Sequence, residues 1–423
     1  MASIVEYDLG PLRTAQTVVV IGGGPAGASC AIALRNHALR QRVSLHVMLF
    51  EMKDFSCERN VCVGVLSPPF RRLLGSLDLS LPDGIVQRRI SGYTLHSKRQ
   101  SVFLEERTDG DEQTVVVDRA DFDNFLLGSA MRAGVAVVRD EVADLQIAPA
   151  NVLVLSKRGL RVEADVVVGA FGLDDEMLSL FERRLPAFRR PPVVKSILAD
   201  VHLPEKVVAE RFNGTIHAML IDQLPRVEFG ALTPKRDHVT VNIAGENIGD
   251  DDLDAFLRLP WGRKLVPEAG NGDVRYHAAF PSGPARGFYC DRAITIGDAS
   301  GMLRPLKGKG ISTGIITGVE AARTMLEVGI SKKAFDEFYR RCQTITREFS
   351  YGIFLRHLYR LSEKLDALDA VVGLARREPM LYRAFYDMVS GEGSYKEIVL
   401  RSARPDLMGK ILLAIVRYRL VGR

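Results

Sequence analysis

The chain has 423 residues, 47% of them hydrophobic and 26% charged, and a formal net charge of +5. This length suits two sequential or intertwined domains, and the balance excludes a disordered chain. The modest charge, without a basic stripe interleaved with aromatics, gives no case for nucleic acid.

Five irregularly spaced cysteines (Cys30, Cys57, Cys62, Cys290 and Cys342) include no CxxC pair. Neither a metal centre nor a disulfide framework is indicated, and a reducing, cytoplasmic setting is expected. The segment from Met1 to Gln16 lacks the basic-then-apolar block of a signal peptide. No stretch reaches the roughly 18 apolar residues that a spanning helix needs.

In chain order, Thr17–Ile21 is a β-branched run of the kind that forms a strand buried on both faces. Gly22-Gly-Gly-Pro25-Ala26-Gly27 follows, and Ala28 to Arg40 reads as a helix. The glycines have separate reasons: Gly22 for a tight turn, Gly24 for close approach of a pyrophosphate, Gly27 for a helix lying on its strand. The helix start, with Pro25 and Ala26, offers free N–H groups and a positive dipole end to phosphates. A second strand, Val43 to Phe50, ends in Glu51-Met52. A carboxylate there can accept hydrogen bonds from ribose hydroxyls and disfavours a 2′-phosphate. Strand, glycines, helix, strand and acid in this order predict a Rossmann-type dinucleotide site holding FAD or NAD.

Arg161–Gly169 reads as a strand returning to that sheet. Alternating segments at Val194–His202, Thr215–Ile221, Val227–Leu232 and His238–Ala244 predict antiparallel strands, with a helix at Asp251–Leu257. Arg292 to Ile296 is a further strand; Gly297, Asp298 and a glycine-rich turn through Pro305, Gly308 and Gly310 follow, opening a helix from Ser312 to about Leu326. This layout selects FAD: Asp298 is placed for ribityl hydroxyls, and the N–H groups near Gly310 and Ile311 for the pyrimidine edge of the ring. From Lys333 onward the chain is mostly helical, and Leu407–Val421 is apolar with flanking cations, suited to a membrane surface. Cys57 and the Ser67-Pro-Pro69 turn read as structural.

The pairing of Gly22–Gly27 with Gly297-Asp298-Ala299 resembles the flavoprotein group of aromatic hydroxylases and geranylgeranyl reductases. Ile296-Gly-Asp-Ala-Ser-Gly-Met-x-x-Pro305-Leu-x-Gly308-x-Gly310-Ile311 looks most like the geranylgeranyl reductases, over roughly residues 15–330. Asp118-Arg-Ala-Asp-Phe122 also matches the group's pattern, which implies that Arg119 contacts the FAD. The resemblance implies an α/β fold: a Rossmann-type FAD-binding domain (1–190 and 286–330), an inserted antiparallel-sheet substrate domain (191–285) and a helical C-terminal region (331–423).

By the same resemblance Cys62 and Gly64 lie near the flavin, Cys62 as a candidate for protonation, while Tyr276 and Phe280 of Arg275–Pro281 line the substrate cavity. His277 reads as an outward-facing strand residue. Two departures stand out. Gly169-Ala170-Phe171-Gly172 has phenylalanine where the group has aspartate, and Cys62-Val63-Gly64-Val65 lacks the reductases' glycine–glutamate pair.

The implied activity is hydride transfer from flavin N5 to a carbon–carbon double bond of an isoprenoid (geranylgeranyl-type) lipid or quinone. No second GxGxxG offers a nicotinamide domain, so NADPH would bind transiently or a reduced ferredoxin, an electron-transfer protein, would serve. Two other readings stand beside it: a flavin monooxygenase acting on an apolar substrate, and a non-catalytic flavoprotein. The halogenase pattern of two tryptophans is missing, since Trp261 is the chain's one tryptophan.

Overall fold

The computed structural model describes residues 8–55, 58, 60–106, 112–221, 223–269, 273–304, 309–364 and 367–421, the side chains of 360–364 and 421 excepted. Thr17–Ile21 forms the expected strand, with Val18, Val19 and Val20 fully buried. It pairs in parallel with His46–Phe50 on one side and Val166–Gly169 on the other. Ala136–Val138 and Ala293–Thr295 extend the sheet in parallel, and Tyr289–Cys290 closes one edge antiparallel. The order across these six strands is 289–290, 293–295, 166–169, 17–21, 46–50 and 136–138. Side chains buried on both faces account for the unbroken valine runs.

Two helices pack against each other beside this sheet. Pro25–Arg40 starts at Gly24, with proline in its first turn. Gly310–Glu327 starts two residues earlier than its sequence pattern suggests. They touch along a seam of small residues: a Cβ on Gly318 would meet the Ala26 carbonyl oxygen at 2.5 Å, and one on Gly314 the Ala26 nitrogen at 3.3 Å. Only glycine permits that approach, which sets the N-termini of the two helices side by side.

A seven-stranded sheet stands opposite, ordered 275–281, 193–202, 238–245, 227–234, 215–219, 92–96 and 101–105. Its central members are the alternating segments read from sequence. The sheet also draws Gly92–His96, parallel to Thr215–Met219, and Ser101–Glu105 from much earlier in the chain. The helix read at Asp251–Leu257 spans Asp250–Leu257.

Seven helices between Lys332 and Val421 make up the described tail. Arg304, next to the glycine-rich turn, fastens that tail: its guanidinium reaches the Gly391 and Gly393 carbonyls and lies 3.2 Å from Glu348. It also stacks 4.7 Å from the Tyr395 ring centroid.

Candidate flavin and substrate cavity

A cavity of about 1290 Å³ runs from the first glycine turn, beneath the seven-stranded sheet, to the tail helices. At one end, Gly22 has φ +104°, and a Cβ there would stand 2.5 Å from the Ala170 carbonyl oxygen. A Cβ on Gly27 would collide with the Gly22 carbonyl oxygen, whereas one on Gly24 would meet nothing within 4 Å. The three glycines thus divide as their spacing suggests: two for backbone packing and one facing open space. Glu51 ends its strand beside the turn and accepts hydrogen bonds from the Gly23 N–H (2.7 Å) and the Lys53 N–H (2.8 Å). Burial raises its pKa, while those two donors work in the opposite direction.

At the second motif, Asp298 and Gly310 adjoin, since a Cβ on Gly310 would lie 3.3 Å from the Asp298 carboxylate. Burial pushes the Asp298 carboxyl up to about 6, with Arg119 opposing. Arg119 follows Asp118, whose side chain caps helix Arg119–Arg132 by accepting from the Ala120 N–H at 2.8 Å. The Arg119 guanidinium grips the fully buried Asp123 at 2.8 and 3.0 Å and also borders the cavity. Burial alone would lower its pKa, but Asp123 and the neighbouring Cys62 raise it overall. Ion pair and cavity wall therefore coexist in one side chain.

Gly22, Gly24, Pro25, Ala26, Glu51, Met52, Arg119, Gly297, Asp298, Gly310 and Ile311 all line this cavity, as do Cys62, Gly64 and Phe280. Gly27 lies behind it, packed against the turn. Pro305, Gly308 and Cys57 lie outside the described residues.

Tyr276 lines a small adjoining pocket with Asp200, and that pocket shares Asn60, Cys62, Arg119 and Leu198, the cross-strand partner of Tyr276, with the main cavity. Tyr276 and Phe280 share a face of strand Arg275–Pro281, yet four residues at about 3.3 Å each separate them by roughly 13 Å. His277 faces outward, its side chain 63% exposed and 3.2 Å from Asp250.

The large sheet lines the cavity mostly with apolar side chains, among them Leu198, Ile216, Phe229 and Phe280 from four strands, with Ser196, Thr233 and Asn242 between them. Phe171, at the motif position where the resemblance leads one to expect aspartate, adds a ring that packs 4.7 Å from Phe181. Ile353, Leu355 and Met388 close the far side from the tail.

Sequence reasoning missed Lys309, which sits in the glycine-rich turn and lines the cavity beside Gly310. Burial pushes its ammonium down to about 7; Arg304 acts in the same direction, and Glu392 and Glu106 oppose. Its own motif held the signal, a lysine among residues otherwise fitted to a ring edge.

No family model matches the chain. Digeranylgeranylglycerophospholipid reductase 1 of Methanosphaera stadtmanae is 24% identical over 336 residues, 77% of this chain and 79% of the relative. The corresponding reductase of Methanocaldococcus jannaschii is 23% identical over 418 residues, 89% of this chain and 99% of the relative. Geranylgeranyl diphosphate reductase of Synechocystis is 25% identical over 316 residues, 70% of this chain and 71% of the relative.

Among solved structures, a geranylgeranyl bacteriochlorophyll reductase-like protein of Thermoplasma acidophilum superposes with TM-score 0.72 at 17% identity, covering 92% of this chain and 98% of its own. A flavin-dependent brominase gives 0.67 at 18%, covering 91% and 98%. The mixed α/β fold with a parallel sheet is shared with both. The relatives bear the name that the two glycine motifs suggest.

Proposed function

We infer that this chain, an FAD-dependent oxidoreductase related to the geranylgeranyl reductases, hydrogenates carbon–carbon double bonds of an isoprenoid lipid or quinone. One observation carries the substrate class: the cavity that holds the dinucleotide turn, Asp298 and Gly310 is also lined from the large sheet mostly by apolar side chains, Leu198, Ile216, Phe229 and Phe280 among them.

The residues present fit FAD. Gly24 leaves the backbone open to a diphosphate, and Glu51 retains lone pairs for ribose hydroxyls. The Asp298 carboxylate borders the cavity where a ribityl chain would pass. The first N–H groups of helix Gly310–Glu327 lack helical partners and suit a pyrimidine edge. Pro25, Ala26, Met52, Arg119, Gly297 and Ile311 complete the proposed wall. When bound, FAD supplies the hydride.

The chain's own contributions are orientation, exclusion of water and a proton. Alkene reduction needs the reacting carbons held roughly 3–3.5 Å from the hydride source, which apolar packing can supply. Phe171, in place of an acid, adds an apolar ring to a stretch of wall that also carries Asp174, Asp175 and Glu176. Cys62, half-buried in the wall beside Arg119, is placed to shape the cavity or assist protonation. NADPH binding transiently, or a reduced ferredoxin, is the proposed electron source.

We assign 191–285, with the strands at 92–105, to the substrate-facing unit, and 331–423 to a helical closure. Among the described residues no helix is long and apolar enough to cross a membrane. Helix Pro405–Val421, however, exposes Met408, Leu412, Leu413, Val416 and Leu420 along one side. Ile353, Phe354 and Leu358 are exposed on helix Glu348–Lys364, where Ile353 also lines the cavity. These faces suit a bilayer surface from which a prenyl chain could enter, a point that vesicle flotation checks.

The deciding experiment reduces the flavin of the purified protein without oxygen, mixes it with prenyl lipids and quinones, and weighs the products. A gain of two hydrogens per double bond, with flavin reoxidised, is expected. Flavin that stays reduced until air enters, with products one oxygen heavier, would install the monooxygenase reading instead. Tight FAD without turnover would leave a non-catalytic flavoprotein.

A further inference from the structure

His202 ends strand Val193–His202, and His238 begins strand His238–Gly245. The two strands run antiparallel in a register that sets His202 directly opposite His238, so both side chains emerge on one face. Their ring centroids are 5.5 Å apart. Asp237, in the turn just before, brings Oδ1 to 2.8 Å from His238 Nδ1. One ligand atom from each of the three lies within 4.8 Å of the other two. Backbone bonds hold the corner: the Leu203 N–H donates to the Asp237 carbonyl at 3.1 Å, and the Lys235 N–H to the His238 carbonyl at 2.9 Å.

The fourth member of this corner is Asp200, opposite Thr240 in the same register. Its Oδ1 accepts from the Thr240 hydroxyl at 2.6 Å and lies 3.8 Å from His238 Nε2. Without metal the His238 Nδ1–H donates to Asp237 at 2.8 Å, and a bound cation would take the place of that proton between the two groups. With the ion on Nδ1 the remaining ring proton sits on Nε2, facing Asp200 across 3.8 Å as a charge neighbour rather than a hydrogen-bond partner. His238 is buried and held, while His202 and Asp237 are exposed and able to adjust.

We propose that His202, His238 and Asp237 form a site for a divalent transition-metal ion of the zinc class, clipping the end of the large sheet. Two imidazoles and one carboxylate are a borderline donor set, suited to Zn²⁺, Co²⁺ or Ni²⁺ and poor for Mg²⁺ or Ca²⁺. With bonds of about 2.0–2.1 Å, tetrahedral ligand atoms stand roughly 3.4 Å apart. The widest present separation of 4.8 Å must therefore close by about 1.4 Å, within reach of two exposed side chains rotating about their χ angles. The ion completes its shell with water. Because Asp200 and Thr240 also line the small pocket with Cys62 and Arg119, the clip fixes one wall of that pocket without entering the large cavity. Sequence spacing is silent here, since the two histidines meet only through strand register.

The test uses the full chain with its flavin, stripped of metal by a chelator and titrated with Co²⁺. One equivalent per chain, with the strong visible bands of a tetrahedral ion and displacement by Zn²⁺, is expected. Zn²⁺, and not Mg²⁺, should raise the melting temperature. His202→Ala and Asp237→Asn should each weaken binding at least tenfold, with flavin content and metal-free melting temperature unchanged. Absence of stoichiometric binding, or binding that both variants retain, would overturn the proposal. Retained binding would mean that another group, such as a cysteine, holds the ion.

Discussion

Gly318 lies against Ala26 so closely that a Cβ on it would stand 2.5 Å from the Ala26 carbonyl oxygen and 2.9 Å from the Cys30 nitrogen. The contact joins the helix of the first glycine motif to the helix of the second, far apart in sequence. Both clashing atoms are backbone, so no rotamer can relieve a larger residue. Gly318→Val should force the helices apart and cost about 1–3 kcal/mol, the usual range for overpacking a dense interior. It should also weaken FAD binding, because the two helix N-termini would no longer converge. Chemical denaturation and flavin titration check the pair of effects, and a variant with parental flavin affinity would separate the seam from the cofactor site.

Lys309 gives the cavity a charge that changes near neutrality. Its ammonium sits at about 7, with Arg304, Glu392 and Glu106 as the charged groups acting on it. Below that pH it is protonated and favours negative charge on a neighbouring reduced ring; above it the lysine is neutral and the effect is lost. The midpoint potential of bound FAD should therefore carry an extra rise as pH falls through about 7. Lys309→Met should lower the potential below pH 7 and remove that inflection. Parallel potential–pH curves for the two proteins would show that Lys309 does not face the ring.

Lys309 also marks the boundary of what sequence alone conveys here. The glycine turns, Glu51 and Asp298 are legible because each responds to a local demand: a close backbone approach or a carboxylate ending a buried strand. Almost all of them line the cavity where their motifs place them. Quantities decided by assembly are not legible. Lys309 is shifted by burial under the tail, and Ile353 and Met388 reach the cavity from helices with no motif. Strands Gly92–His96 and Ser101–Glu105 join the large sheet through long-range pairing. Tyr276 shares a face with Phe280 and reaches the cavity's edge through a side pocket, which meets it at Cys62, Arg119 and Leu198.

His96 and His217 predict acid lability. His96 Nε2 and His217 Nδ1 are 2.8 Å apart, Ser101 takes the other His96 nitrogen at 2.7 Å, and Trp261 packs 4.2 Å away. Burial lowers His96 to about 3 and His217 to about 4, and Lys264 acts in the same direction on both. In the unfolded chain both rings titrate near 6.5. Between that pH and about 4 the unfolded state binds protons that the folded state refuses. Stability is therefore complete above about 6.5 and falls with acidification, by about 1.4 kcal/mol per pH unit for each ring. Urea unfolding at several pH values between 7.5 and 5, as a chosen range of about 2.5 units, measures the slope. His217→Gln should roughly halve this contribution; an unchanged slope would place the acid sensitivity elsewhere.

Arg119 poses the sharpest separation of structural from cofactor roles. It neutralises Asp123, whose side chain is 0% exposed and whose other described donor is the Asn60 amide. Arg119→Ala leaves that carboxylate buried and unpaired, a loss of about 3–5 kcal/mol. Any fall in flavin affinity in this variant could come from the damaged fold alone. Arg119→Met with Asp123→Leu removes both charges and keeps the volume, so most of the stability should return. If the guanidinium also contacts the cofactor, FAD affinity in the double variant should stay at least tenfold below the parent, about 1.4 kcal/mol, despite the restored melting temperature. Recovery of both together would reduce Arg119 to its ion pair, and leave Gly24, Glu51 and Asp298 to hold the nucleotide.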